Sequence, residues 1–270
     1  MTDLPASRLA ARPATKVTPH HAMNLWRLEL LRLFRTPRAV ALGAVFVVLG
    51  LIEPLATKYQ SQIINRVGNG VHIILPPATP AQGISSYLGE TNGIGLILVV
   101  VIAAGAFTFD SHHGLAIFLR TRATSLWQLI TPRFVVNSVA ACTGYLPGTL
   151  AAWYETDLLL GPLPAGKMFA GLICAFVYWI LVVSLTCAVA SVVKGTLGTV
   201  GLTVVVLLVL PIAGVVKAVH NWLPTTLADA PAELLGGPHL SNYLPSLGVS
   251  VAASAALLTV AVLGLRSREV

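Results

Sequence analysis

Six apolar runs constrain this chain more than any other feature: Ala39 to Ala56, Gly93 to Phe109, Phe134 to Tyr154, Met168 to Val193, Gly195 to Val216 and Leu244 to Leu265. An α-helix rises about 1.5 Å per residue, so about 20 residues cross a hydrocarbon core about 30 Å thick. The runs fit that length, the second being the short one. Backbone groups in lipid have no water to bond, which makes helices the natural form for such runs. Composition agrees. The 270 residues are 56% hydrophobic and only 10% charged, where a water-soluble domain carries about 25% charged residues. The same apolar excess excludes a disordered chain. The sequence therefore reads as an all-α polytopic membrane protein with six transmembrane helices, and little length remains for a separate soluble catalytic domain.

The charges sort by loop. With the N-terminus in the cytoplasm, only Lys58, Arg66, Lys167 and Lys217 of the 17 basic residues fall on the outer side. The acids run the other way, with Glu53, Glu90, Glu155, Asp157, Asp229 and Glu233 outside. An excess of Lys and Arg marks cytoplasmic loops. Both termini are therefore expected in the cytoplasm, and the net charge of +7 is accounted for without nucleic acid.

Four regions follow. Residues 1–22 are polar and proline-bearing, without the apolar core of a secretory signal, and read as a cytoplasmic tail. Residues 23–38 read as an interfacial helix. On it Met23, Trp26, Leu30, Leu33 and Phe34 share one face, with Arg27, Glu29, Arg32 and Arg35 opposite, the arginines reaching lipid head groups. Pro37 ends that helix. A six-helix domain occupies 39–265, with an inner loop at 110–133 and an outer segment at 217–243. Residues 266–270 form a cytoplasmic end. The stretch from Thr57 to Asn92 reads as an outer loop. The apolar pieces Trp222–Leu227 and Ala230–Leu235 are too short to span and read as interfacial or re-entrant. Lys194 leaves room only for a tight hairpin between the fourth and fifth runs.

Motifs of bond chemistry are lacking. Gly161 to Lys167 matches the phosphate-binding loop up to its last position, where Met168 stands in place of the magnesium-holding Ser or Thr. A phosphate loop also needs a strand before it, so this string is a decoy. His112-His113 beside Asp110 lacks the further ligands that zinc requires, and no metal site is expected. Cys142, Cys174 and Cys187 lie in apolar runs without ligand spacing and read as small buried hydrophobes. No protease or hydrolase motif occurs, so no catalytic residue is assigned. Glu53, followed by Pro54 near the outer end of the first run, is either an interfacial carboxylate or a charge in a translocation path, since a carboxylate deep in lipid is costly. The rows Gly195, Gly198, Gly201 and Gly248, Ala252, Ala256 read as close-packing surfaces.

The inner loop is the most informative segment. Asp110 can cap a short helix with Leu115, Phe118 and Leu119 on one face, and Arg120, Arg122 and Arg133 follow at head-group level. The order of basic amphipathic elbow, six spans and helical first inner loop resembles the membrane subunit of an ABC-2 type transporter. The elbow ending in Thr36-Pro37-Arg38 is similar to that family's first helix. The run from Asp110 through Gly114-Leu115 to Phe118-Leu119, then Arg122 to Arg133, resembles its coupling segment, without the family's usual proline at Thr121-Arg122-Ala123-Thr124. Asn221-Trp222-Leu223-Pro224 to Pro245 is similar to the outer re-entrant region before the last span.

The resemblance implies a permease with no ATP site of its own, embedded in the lipids of a bacterial inner membrane. Two cytoplasmic ABC ATPase subunits would handle ATP and magnesium, and a second permease copy or a paralogue would complete it. Asp110, Gly114, Leu115, Phe118, Leu119, Arg122 and Arg133 would couple it to the ATPase, and the cargo would be a small hydrophobic or amphipathic compound moved outward. The competing readings are an ion-coupled carrier and a polytopic membrane enzyme using Glu53 or the Asp110–His113 cluster.

Overall fold

The structure, a computed structural model, describes residues 20–35, 38–67, 76–108, 126–215 and 217–267. Among them every regular element is helical. Helix α1 spans His20–Arg35 and α2 Arg38–Val67. The second helix outruns its apolar stretch by about three turns, with Pro54 inside it. Beyond Ala56 it stays helical against a neighbour. Thr57 there is buried, and its hydroxyl is hydrogen-bonded to the Ser86 hydroxyl at 2.9 Å. Ser86 belongs to α3, Pro80–Glu90. Thr79 caps this helix in a reciprocal box. The Gln82 amide N–H donates to Thr79 Oγ1, and the Thr79 amide donates to Gln82 Oε1 at 2.9 Å. Pro80 sits at the first position, where its missing N–H costs nothing. The described part of the expected outer loop, Thr57 to Asn92, is therefore mostly helix, because capping and tertiary contacts extend helices past the apolar runs.

A five-residue π turn, Thr91–Gly95, joins α3 to α4, Leu96–Phe107. A Cβ at Gly95 would lie 2.6 Å from Phe46 Cε1, so this turn closes tightly on α2. Helix α5 follows at Leu126–Leu159 and α6 at Ala165–Val192. Helix α7 covers Thr196–Val209 and runs into a 3-10 turn, Leu210–Val215. The expected hairpin at Lys194 is present, turned by Gly195 at φ +89°, a backbone angle that glycine adopts without steric cost. Short helices α8, Lys217–His220, and α9, Thr226–Glu233, precede α10, Leu244–Ser267. Of the outer apolar pieces, the second thus forms part of a folded cap.

Among the described residues five stretches are long and apolar enough to cross a membrane: Arg38–Asn65, Pro80–Phe107, Ala165–Val192, Thr196–Val215 and Leu240–Arg266. Helix α5 is not among them. Its 34 residues include Asn137, Ser138, Thr143 and Thr149, which dilute its apolarity. It nevertheless makes the most extensive packing of the fold, along α2. Gly148 on α5 makes that possible, since a Cβ there would sit 2.6 Å from the Phe46 carbonyl oxygen. Helix α6 is the centre of the bundle, 72% buried over its most apolar window, and α4, α5, α7, α9 and α10 surround it.

The core is aromatic. Phe46 meets the rings of Tyr145 and Trp179 edge-on, each at 5.7 Å between centroids, a geometry favoured by ring quadrupoles. Outside the core, α7 exposes Leu197, Leu202, Val205 and Leu208, and the 3-10 turn after it exposes Ile212. A run of exposed aliphatics on this scale suits lipid rather than water. Successive long helices reverse direction, which gathers Arg38, Arg133, Lys194 and Arg266 toward one end and Glu90, Asp229 and Glu233 toward the other.

Candidate functional site

At the basic end, two residues singled out on separate grounds meet. The Arg133 Nε–H donates to Glu29 Oε1 at 2.8 Å, joining α1 to the first turns of α5. Arg133 is only 2% exposed and Glu29 13%. The Arg133 backbone carbonyl accepts from Asn137 Nδ2 at 2.8 Å. Desolvating a guanidinium is expensive unless a carboxylate stands against it, and Glu29 supplies one. A narrow crevice of about 20 Å³ beside the pair is lined by Glu29, Arg32, Arg38 and Asn137, room for about one water molecule. Helix α1 thus turns part of its expected polar side, Glu29, toward the bundle, while Trp26 and Leu30 face outward. Arg27 is exposed and Arg32 lines the crevice; Arg35 ends the helix. Asp110, Gly114, Leu115, Phe118, Leu119 and Arg122 lie outside the described residues.

At the acidic end a cavity of about 480 Å³ opens between α4, α6, α7 and α9. Its size falls in the range of small-molecule sites, about 300–1,000 Å³. Leu96, Leu207, Leu208 and Pro211 supply apolar wall, and Asn92, Tyr178, His220, Asp229 and Glu233 supply polar groups. Helix α9 is held against α6 at close range, because Gly171 faces the Pro231 backbone and leaves no space for a Cβ. That contact aims one face of α9 into the cavity. Asp229 and Glu233, four residues apart, share this face. Asn92 Nδ2 donates to Asp229 Oδ1 at 3.2 Å, and the Tyr243 hydroxyl donates to Glu233 Oε2 at 2.6 Å. Asp229 remains open to solvent at the mouth. Even so, the surrounding walls, and next the Glu233 carboxylate, push its carboxyl above the ordinary value.

Glu53 is half-buried on α2 and is not among the residues lining this cavity. Its backbone carbonyl accepts from the Thr57 hydroxyl at 2.8 Å. The four cavity residues Asn92, Tyr178, Asp229 and Glu233 escaped sequence reasoning. The one available signal was an acidic pair at helical spacing inside a proline-bounded outer segment. Among the described residues no cluster of His, Cys, Asp and Glu could hold a metal ion. Cys174 and Cys187 are buried and Cys142 is half-buried, all as free thiols.

No protein-family model matches the chain. Over 162 residues, 59% of the chain, it is 22% identical to an uncharacterized transmembrane protein, YxlG, of Bacillus subtilis (strain 168). That match spans 62% of the relative's length. Five apolar helices, an aliphatic exterior and a transmembrane relative together define a multi-pass membrane protein.

Proposed function

We propose that this chain is the permease subunit of an ATP-driven ABC transporter of the ABC-2 type, exporting a small hydrophobic or amphipathic compound. In this reading α1 is an elbow lying in the inner leaflet of a bacterial cell membrane. Helix α5 is a sixth crossing, and the basic end faces the cytoplasm. Two separate ATPase subunits bind ATP and magnesium and grip the inner segment 110–133, whose last residues form the first turns of α5, while a second permease, identical or paralogous, completes the transporter. The chain performs no bond chemistry. It responds through contacts that differ between two conformations.

The observation that carries this reading is the buried Glu29–Arg133 pair. A permease driven from outside must pass force from its cytoplasmic surface into its helices. Arg133 stands in the first turns of α5, which follow the inner loop directly, and its ion pair couples the base of α5 to α1, so a push on that loop moves both. The layout resemblance supports the same assignment. The carboxylates of the cavity stand at the end of the bundle, whereas an ion-driven carrier keeps its coupling groups near the midplane.

The test is to tag the chain, extract it gently from its native membrane and identify what co-purifies. Recovery of a P-loop ATPase in stoichiometric amount, lost when residues 110–119 are replaced by a Gly/Ser linker, is the expected result. Recovery of the chain alone from both mild detergent and native nanodiscs refutes the permease reading.

A further inference from the structure

The cavity at the acidic end has chemistry of its own. Its two carboxylates, Asp229 and Glu233, are held by the Asn92 amide and the Tyr243 hydroxyl, neither of which brings positive charge. Among the described residues lining it there is no Lys or Arg. Tyr178 also lines it and is 4% exposed, and its hydroxyl has no hydrogen-bond partner among the described residues. Buried phenols ordinarily find one. A buried tyrosine with no internal hydrogen-bond partner, beside two carboxylates without a counter-charge, on the wall of a cavity of about 480 Å³ marks the place of a ligand.

We infer that this cavity binds an organic cation with an apolar body. The positive centre lies between Asp229, Glu233 and Tyr178, whose ring attracts a cation and whose hydroxyl oxygen accepts from it. The apolar body lies over Leu207, Leu208 and Pro211. Two carboxylates repel an anion of the same shape. A hard metal ion needs several convergent oxygen ligands, which the leucine walls do not supply. The cost of keeping Asp229 ionised here is offset when a cation enters, a common arrangement in which stability is given up at a binding site.

This deepens the export reading by naming a substrate class, yet binding is measured on the chain alone. A failure to recover an ATPase therefore leaves it standing. The probe is tetraphenylphosphonium, added to the purified full chain in nanodiscs, with empty nanodiscs subtracted; tetraphenylborate, similar in shape and opposite in charge, is measured separately. Saturable binding of the cation and none of the anion is expected. Asp229→Asn and Glu233→Gln each weaken it on the order of tenfold, equivalent to about 1.4 kcal/mol, while Glu155→Gln leaves it unchanged. Asp229→Asn keeps the acceptor for Asn92 and removes the repulsion from Glu233, so it folds at least as well as the parent. No saturable binding by the parent, equal affinity for the anion, or undiminished affinity in Asp229→Asn overturns the assignment.

Discussion

Glu29→Gln is the perturbation that most directly probes the link between α1 and α5. It keeps the shape and one acceptor oxygen but removes the charge facing the Arg133 guanidinium, which is 2% exposed. Taking one partner from a buried pair costs about 3–5 kcal/mol, mostly because the other charge stays desolvated. Glu29 retains 13% exposure, which places the expected cost near the lower bound, about 3 kcal/mol. At about 2–4 °C per kcal/mol for a chain of this size, the unfolding midpoint falls by about 6–12 °C. The converse change, Arg133→Met, leaves a carboxylate that reaches water and a thioether that fills the space of the stem, so it costs less than Glu29→Gln. The double variant should resemble Arg133→Met alone, because the guanidinium that Glu29 faces is gone. Tryptophan-fluorescence melting of the purified chain in one detergent measures all four proteins. A drop of less than about 2 °C for Glu29→Gln, or a double variant equal to the sum of the singles, refutes the claim that the pair fastens α1 to the bundle.

Two further outcomes follow from the fold. Gly148→Ala puts a methyl 2.6 Å from the Phe46 carbonyl and lowers stability by about 1–3 kcal/mol. Gly43→Ala, where nothing lies within 4 Å, is neutral or stabilising through helix propensity; equal midpoints for the two would contradict the seam between α2 and α5. For Asp229 the folded carboxyl titrates above its unfolded value, so between those values the folded chain holds the extra proton. Stability then falls as pH rises from about 4 through the folded value and stays lower above it. Asp229→Asn should accordingly melt higher than the parent at pH 7 and converge with it at acid pH, and coincident curves at pH 7 would show that the carboxyl bears no such strain.

Apolar length made the bundle legible, and its limits explain what was missed. The stretches through Ala165–Val192 and Leu240–Arg266 closely follow runs read directly from the residues. The extension of α2 to Val67 did not show, because Lys58, Tyr59 and Gln60 are polar and their helical state rests on Thr57 docking to Ser86. Helix α3 was hidden for the same reason, although the Thr79–Gln82 capping box is a local signal that a closer reading could have used. Glu29 and Arg133 were each singled out, one for its place on an amphipathic helix and one for its loop. That they pair across 104 residues is a tertiary fact that neither local pattern contains. The cavity lay further out of reach. Asn92 and Asp229 are 137 residues apart, and Tyr178 reads in sequence as one more aromatic within an apolar run.

The seam at Gly148 has a mechanical consequence. Most helix contacts in proteins are cushioned by side chains, which can change rotamer and let one rod slide over another. Where backbone rests on backbone, as Gly148 does on Phe46, no such bearing exists, and any sliding drives hard atoms together. Helices α2 and α5 therefore behave as a single girder. With α1 bolted to α5 through Glu29 and Arg133, a load applied at the basic end travels the length of that girder undiminished. The loosely covered α7, joined to α6 at Gly195, lies outside that girder and forms one wall of the cavity.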